Sequence, residues 1–440
     1  MLHKEEKADG IAAPLLQAAE LGKGDCDGAT IVQSSFNLVK NLVGSGVLAL
    51  PSGVAAMSGS TNSLTLGCIL LSFMAALCGY CFMLLGLLCA ALQAESYGNC
   101  WSATIGTKTA WIPKLFLIVK TFSGCLAYSM ILANAFTDIF ASMGAPVWIA
   151  SRTPSLWLVT VTCLLPLCLL RSLKALAPFS ALGTFCTAYI ALFMWLRWND
   201  GSYQPDGQYY QEIVEELRPE FDEQFKPSGI LILVSISSTA FIAHYNAPKF
   251  YWGLANRSQA RNCIVVTTSF LAALLLNLLI AGFGFLTFGS ASNGMVLNNY
   301  ASSDPLATVA RTSISLSLLC GYPLLFSACL DGLLELLDAG RSQRLRDACT
   351  ISMLLVVTVL AMIITELGFL LAFVGALLGA AIIYIIPAAM ALCAAKMKAS
   401  SFERSALDKG LYLAVLLLGV VLMVCGCVVT VLKEFTHILS

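Results

Sequence analysis

The sequence predicts an all-α membrane protein of about eleven transmembrane helices, and three observations carry that prediction. First, the 440 residues are 58% hydrophobic and only 11% charged, with a mean hydropathy of +0.82. A soluble domain runs about 45–50% apolar and about 25% charged. One core cannot absorb so much apolar surface, so lipid is the solvent for most of the chain. Second, apolar runs of spanning length recur at 31–57, 63–92, 112–140, 155–170, 176–198, 228–252, 263–289, 305–330, 349–365, 367–394 and 410–432. Each meets or approaches the roughly 20 residues that cross a bilayer core. Third, the first and sixth runs each hold a polar cluster followed by a proline, at corresponding places in two five-helix halves. That is the pattern of a 5+5 inverted repeat with broken helices 1 and 6, here with one extra helix.

Residues 1–30 mix Lys with Glu and Asp and hold no apolar core, so they read as a short cytoplasmic tail rather than a signal or a span. The transmembrane domain then covers 31–432, and 433–440 forms a C-terminal tail. Orientation follows from the basic residues. Lys108, Lys114, Lys249, Arg257, Arg261, Arg341, Arg344, Arg346, Lys396, Lys398, Arg404 and Lys409, with Arg171 and Lys174, fall on one side. Only Arg152, Arg197, Arg218, Lys226 and Lys433 fall on the other. The N-terminus is therefore expected in the cytoplasm. The loop 199–227 is acidic and faces outward, as a solvated loop or, alternatively, a cation-attracting vestibule. Most of the 17 cysteines, such as Cys68, Cys78, Cys81, Cys125, Cys163, Cys186 and Cys425, lie inside apolar runs, where a thiol behaves as a small hydrophobe. The Cys78–Cys81 pair sits mid-span, outside any redox or zinc context.

The first span, "FNLVKNLVGSGVLALPSG", places Gly44-Ser45-Gly46 in the middle of an apolar helix. This triplet has little helix propensity. Small residues also let membrane helices approach closely, which is the simpler explanation for a single glycine. Here the triplet is followed by Pro51 and flanked by Asn37, Lys40 and Asn41. The combination favours an unwound segment lining a cavity, where freed backbone groups meet a ligand instead of lipid. The sixth span, "ILVSISSTAFIAHYNAPKFYWGL", repeats it with Ser235, Ser237, Ser238 and Thr239, then Phe241, His244, Asn246 and Pro248. Half-helix N-termini present unpaired N–H groups suited to a carboxylate. Unwound carbonyls suit an ammonium group or a small cation. A site with both matches the zwitterion of an amino acid.

These stretches resemble the amino acid/auxin permease family. "FNLVKNLVGSGVLALPSG" looks like its first-helix signature, and "IAHYNAPKFYWGLANRSQAR" resembles the end of its sixth helix. "ARTSISLSLLCGYPLLF" is similar to its eighth helix and "FVGALLGAAIIYIIPA" to its tenth, so the resemblance covers nearly all of 31–432. It implies the fold of the bacterial leucine transporter and secondary active transport of amino acids by alternating access, driven by sodium or protons. By position, Gly44, Ser45 and Gly46 would offer amides to the substrate carboxylate. Val43 and the carbonyls around Ser237, Ser238 and Thr239 would meet the amino group, and Phe241 would gate the side chain. The expected partners are an amino acid, a proton or sodium ion, and the lipid bilayer.

One position departs from the family pattern. Sodium-coupled relatives usually hold an asparagine four residues before the first glycine of the motif, beside the sodium site. Here that residue is Lys40, and the expected hydroxyls of helix eight fall about a turn early, ending at Ser317. Helical spacing puts Asn37, Lys40, Asn41 and Gly44 on one face. Lys40 lies roughly 13 Å in from Ile31, about twice the reach of its side chain. A cation at that depth costs at least about 2.5–3.5 kcal/mol unless paired. The reading is that the Lys40 ammonium takes the place of the sodium ion, giving a sodium-independent carrier, coupled to protons or uncoupled. The alternative is that the span starts later and Lys40 stands in a wet inner vestibule, with sodium-coupled symport still open. Lys120, Asp138 and Arg311 are further intramembrane ionisable groups. His244 reads as a structural hydrogen-bonding residue before a proton relay.

Other classes fit poorly. The only histidines are His3, His244 and His437, too scattered for a triad or a metal cluster, so no enzyme, cofactor or metal site is expected. The zero net charge gives no argument for nucleic acid. "GFGFLTFG" lies within span seven with no strand before it, so it is no nucleotide loop. A channel would need a ring of charge or a filter repeat. A sensor built on the same fold stays open. The one glycosylation sequon, Asn256-Arg257-Ser258, falls on the inner side. Both a vacuolar or lysosomal membrane and the plasma membrane remain possible addresses.

Overall fold

The structure, a computed structural model, describes residues 28–170, 179–336, 342–397 and 406–439. Most of the expected N-terminal tail and the basic residues Arg171, Lys174, Arg341, Lys398 and Arg404 lie outside these residues. Among the described residues every regular element is helical, and pairing between extended segments is limited to the isolated bridges Ala29–Leu254 and Glu220–Gly289.

Thr30 opens the first helix with a capping box. Its hydroxyl accepts from the Gln33 N–H, and the Gln33 carboxamide accepts from the Thr30 N–H. Helix α1 (Ile31–Leu42) then stops at the Gly-Ser-Gly, and a 3-10 turn (Ser45–Ala49) leads into α2 (Leu50–Ala55). Pro51 stands in the first turn of α2, where its missing N–H has no helical partner to lose. The two halves of this span meet at 47°. Then follow α3 (Thr61–Leu92), the short α4 (Tyr97–Thr104) and α5 (Trp111–Ser142). The fourth run is α6 (Arg152–Val159), a π turn and α7 (Leu165–Cys168). Helix α8 (Phe179–Asn199) completes the first half.

The sixth run divides into α9 (Ser228–Ala240), a gap at 241–243, a 3-10 turn (His244–Asn246) and α10 (Ala247–Trp252). After it come α11 (Gln259–Phe288), α12 (Pro305–Leu336) and α13 (Gln343–Ile363). The tenth run is α14 (Leu367–Val374), a π segment (Gly375–Ile385) and α15 (Ile386–Ala394). Helix α16 (Ala406–Leu439) runs through residues 433–439, which the sequence assigned to a tail. Each of the predicted apolar runs thus contains a helix. Among the described residues, eight helices are long and apolar enough to cross a membrane, nine with the bent first pair. Arg152–Cys168 is shorter, and α8 begins at the edge of the described residues.

Close backbone approaches hold the broken spans together. A Cβ on Gly46 would lie 2.9 Å from both the N and Cα of Ala240, so the break of the first span rests on the end of α9. Gly375 and Gly379 of the π segment pack in turn against Ser235 and Ser238 of α9. Helix α5 packs most extensively on α12, while α11 runs beside both α1 and α3.

The loop 199–227 is largely exposed, as expected of a solvated loop, but three of its residues anchor it to the bundle. Tyr203, Tyr209 and Ile213 are buried, and Tyr203 stacks on Tyr209 with centroids 5.4 Å apart. Asp304, fully buried, accepts from Arg197 at 2.6 and 2.8 Å and from the Tyr203 hydroxyl at 3.0 Å. Further along, the Glu220 carbonyl accepts from the Ser290 N–H, and the Lys226 N–H donates to Met57. Two tyrosines and an isoleucine find a dry surface over the span ends, while Phe221 and Phe225 stay exposed. On the same side, Arg311 donates to the carbonyls of Leu297, Tyr300 and Ala301 and pairs with Asp138 at 2.8 Å.

Candidate substrate site

A cavity of about 690 Å³ runs from the break in the first span to the ends of α10 and α12, where Lys249 and Asp331 stand exposed. Its walls come from five stretches of chain: α1 and the Gly-Ser-Gly, α5, the α9–α10 junction, α12 and α14. That volume accommodates a small polar molecule with its hydration.

Of the residues singled out from sequence, Asn37, Lys40, Asn41, Gly44, Ser45, Thr239 and Ser317 line this cavity. At the break, Val43 still donates to the Val39 carbonyl at 2.8 Å, and the Gly44 N–H turns back to Leu42. Ser45 and Gly46 head the 3-10 turn, where the first N–H groups of a helix have no partner within it. The two glycines divide the work. Gly44 faces the cavity, with the Tyr128 hydroxyl 3.7 Å from where its Cβ would be, whereas Gly46 is taken up by contact with Ala240.

Lys40 reaches across the bundle. Its Nζ donates to Ser317 Oγ on α12, a residue 277 positions away in the chain. Gly183 on α8 supplies the third wall, since a Cβ there would overlap the Lys40 ammonium. The ammonium therefore sits where α1, α8 and α12 meet, buried by three helices rather than held at the interface. Asn41 accepts from Asn246 at 3.3 Å, linking α1 to the turn before α10.

The structure leaves Val43, Gly46, Ser237, Ser238 and Phe241 off the cavity wall. The serines point into α9 itself: Ser237 donates to the Leu233 carbonyl at 2.6 Å and Ser238 to Val234 at 3.0 Å. The helix runs on to Ala240, so the break comes after the serine cluster, and Thr239 donates across to the Leu371 carbonyl at 2.6 Å. Phe241 is fully buried against Phe270 of α11, with rings 6.3 Å apart. Its neighbour Ile242 lines the cavity instead. His244 Nε2 donates to the Cys78 carbonyl at 2.8 Å, and its ring packs edge-on to Phe82.

Sequence reasoning missed Tyr128, Ile242 and Tyr245 as wall residues. Tyr245 accepts from Lys120 Nζ at 2.8 Å, with the ammonium 4.5 Å from the ring centroid. Lys120, which the sequence offers either as a lining of the permeation path or as a partner of its neighbours, is on the cavity wall. Tyr128 carries no local signal, because nothing in α5 marks which of its faces meets the break.

Residues 27–432 match the family described as "Transmembrane amino acid transporter protein". The rat "Sodium-coupled neutral amino acid transporter 7" is 26% identical over 413 residues, covering 87% of this chain and 83% of the relative. "Amino acid transporter AVT6E" of Arabidopsis thaliana is 23% identical over 431 residues, covering 92% and 84%. Among solved structures, MhsT in complex with L-phenylalanine superposes with a TM-score of 0.55 at 12% identity, covering 94% of this chain and 99% of that one. A manganese transporter of Eremococcus coleocola gives 0.54 at 14% identity, covering 91% and 89%. The fold is that of these membrane carriers, the leucine-transporter fold that the sequence resemblance implies. These relatives and neighbours are transporters rather than enzymes. The chain is thus a multi-pass membrane protein that belongs to the transmembrane amino acid transporter family.

Proposed function

We propose that the protein carries amino acids by alternating access without sodium, with the Lys40 ammonium standing where a sodium-coupled relative holds its ion. The observation that carries this reading is the Lys40–Ser317 contact between α1 and α12, backed by Gly183. A fixed ammonium supplies one positive charge and a hydrogen-bond donor at the junction of a moving helix with the scaffold. If it exchanges a proton during the cycle, transport is proton-coupled; if it stays charged, transport is uncoupled. The substrate carboxylate meets the N–H groups that head the 3-10 turn, chiefly that of Ser45 on the cavity wall, with Gly44 leaving it room, and the amino group meets carbonyls near Val43 and at the α9 break. Phe241 and Ile242 bear on the side chain, one from the core and one from the wall.

In this reading eleven spans form two inverted five-helix repeats and one further helix. The N-terminus is cytoplasmic, so the cavity opens to the cytoplasm and the 199–227 loop closes the outer side. The competing reading is sodium-coupled symport, favoured by the names of relatives such as the rat transporter above. Uptake of labelled amino acids into liposomes holding the purified protein separates the two. The expected result is uptake that is unchanged when choline replaces sodium, and that Lys40→Ala reduces at least about tenfold. Uptake that requires sodium overturns the coupling. Binding without any flux would make the protein a sensor.

A further inference from the structure

Three lysines, Lys40, Lys120 and Lys249, line the cavity against one carboxylate, Asp331, and that carboxylate is paired with Arg346 of α13. The cavity is therefore positive. Lys40 is given to Ser317. Lys249 is exposed at the mouth, where a basic residue is ordinary for an inner membrane surface.

Lys120 has no such explanation. It stands nine residues along α5 from Trp111, about 13 Å in from that helix end. It is half-buried, and its ammonium meets only the hydroxyl and the ring of Tyr245, both neutral. Among the described residues, the ion pairs use other cations: Lys114, Arg197, Arg311 and Arg346. A cation held at depth beside a wet cavity without a counter-charge marks a substrate path.

The spacing suggests what completes it. Lys120, Gly124 and Tyr128 line the cavity at helical intervals of four, and Tyr128 reaches the level of Gly44. Lys120 and Tyr128 are separated by about 12 Å along the helix axis. An amino acid whose α-carboxylate sits at the first-span break and whose side chain ends in a second carboxylate would give Lys120 the counter-charge it lacks.

We infer that the carrier prefers acidic amino acids, with the side-chain carboxylate bound by Lys120. The inference rests on the carrier reading above and departs from the neutral preference in the names of some relatives. The positive cavity also excludes cationic amino acids, because like charges repel most strongly where water is scarce.

The test is counterflow in liposomes holding the full-length protein, with labelled glutamate, glutamine, leucine and lysine as probes. The expected result is an apparent affinity for glutamate at least about tenfold above that for glutamine, with no exchange of lysine. Lys120→Gln should bring the glutamate-to-glutamine ratio close to one, and Lys120→Arg should keep it well above one. If glutamine or leucine exchanges as well as glutamate, the acidic preference is overturned while the carrier stands. If no amino acid exchanges through folded protein, the carrier reading falls and takes this inference with it. Should Lys120→Gln fail to fold, the wild-type ratio alone decides.

Discussion

Replacing Gly183 by alanine puts a methyl group where the Lys40 ammonium now sits. The new Cβ would overlap Lys40 Nζ and Cε and lie 2.7 Å from Ser317 Oγ. All three are side-chain atoms, so α8 itself has no need to move; the lysine head must. Displacing it removes a hydrogen bond from a charged donor, worth about 1.5–3 kcal/mol. If the head stays, overpacking costs about 1–3 kcal/mol instead. Either route predicts a loss of about fivefold or more in transport rate. The cause can be isolated, because Lys40→Ala removes the obstacle that the methyl group meets. Initial rates of uptake in liposomes for Gly183→Ala, Lys40→Ala and the double variant should depart from additivity by about 1 kcal/mol or more. A Gly183→Ala carrier with wild-type rate, or a cycle that adds within about 0.5 kcal/mol, would refute the assignment of the ammonium to this junction.

The remaining predictions concern the scaffold and the breaks. Gly46→Ala drives a Cβ into the backbone of Ala240, so it should lower the thermal midpoint of the purified protein by the equivalent of about 1–3 kcal/mol. Gly44→Ala meets only the Tyr128 hydroxyl at 3.7 Å; it should leave that midpoint nearly unchanged while weakening uptake. Asp304→Asn removes the buried one of two carboxylates that pair with the partly buried Arg197, leaving Asp200, with an expected loss of about 1–3 kcal/mol. Faster trypsin cleavage in the 199–227 loop would report it, and unaltered cleavage would argue against the loop being held there. His244→Phe breaks the bond to the Cys78 carbonyl, which should cost about 1–3 kcal/mol of stability. The pH profile of uptake should stay as in the wild type; a shifted profile would make His244 part of a proton path.

Much of the fold was legible because its signals are local. Run length and composition declare a span, and Gly-Ser-Gly with Pro51 declares a break, without reference to any other residue. The sixth span shows the limit of that reasoning. Its serines satisfy their hydroxyls on the carbonyls one turn back and so stay helical, and the chain breaks only after Ala240. A row of hydroxyl residues looks the same in sequence whether it lines a gap or bonds its own helix. The loop 199–227 is largely exposed, as its acidic composition suggests, while the burial of Tyr203 and Ile213 depends on surfaces contributed from elsewhere.

By itself the sequence determined that lipid is the solvent and that the first and sixth spans are interrupted, and it singled out Lys40 as a cation within the first span. These follow from hydropathy, helix propensity and rise per residue, which are properties of short stretches. Only the tertiary structure decided what the interruptions face. Ser317 meets Lys40 from a distant part of the chain, Gly183 makes room for the ammonium, and Lys120 is turned towards Tyr245. Which helix stands beside which is set by packing across the whole bundle, so no local pattern could pair these residues in advance.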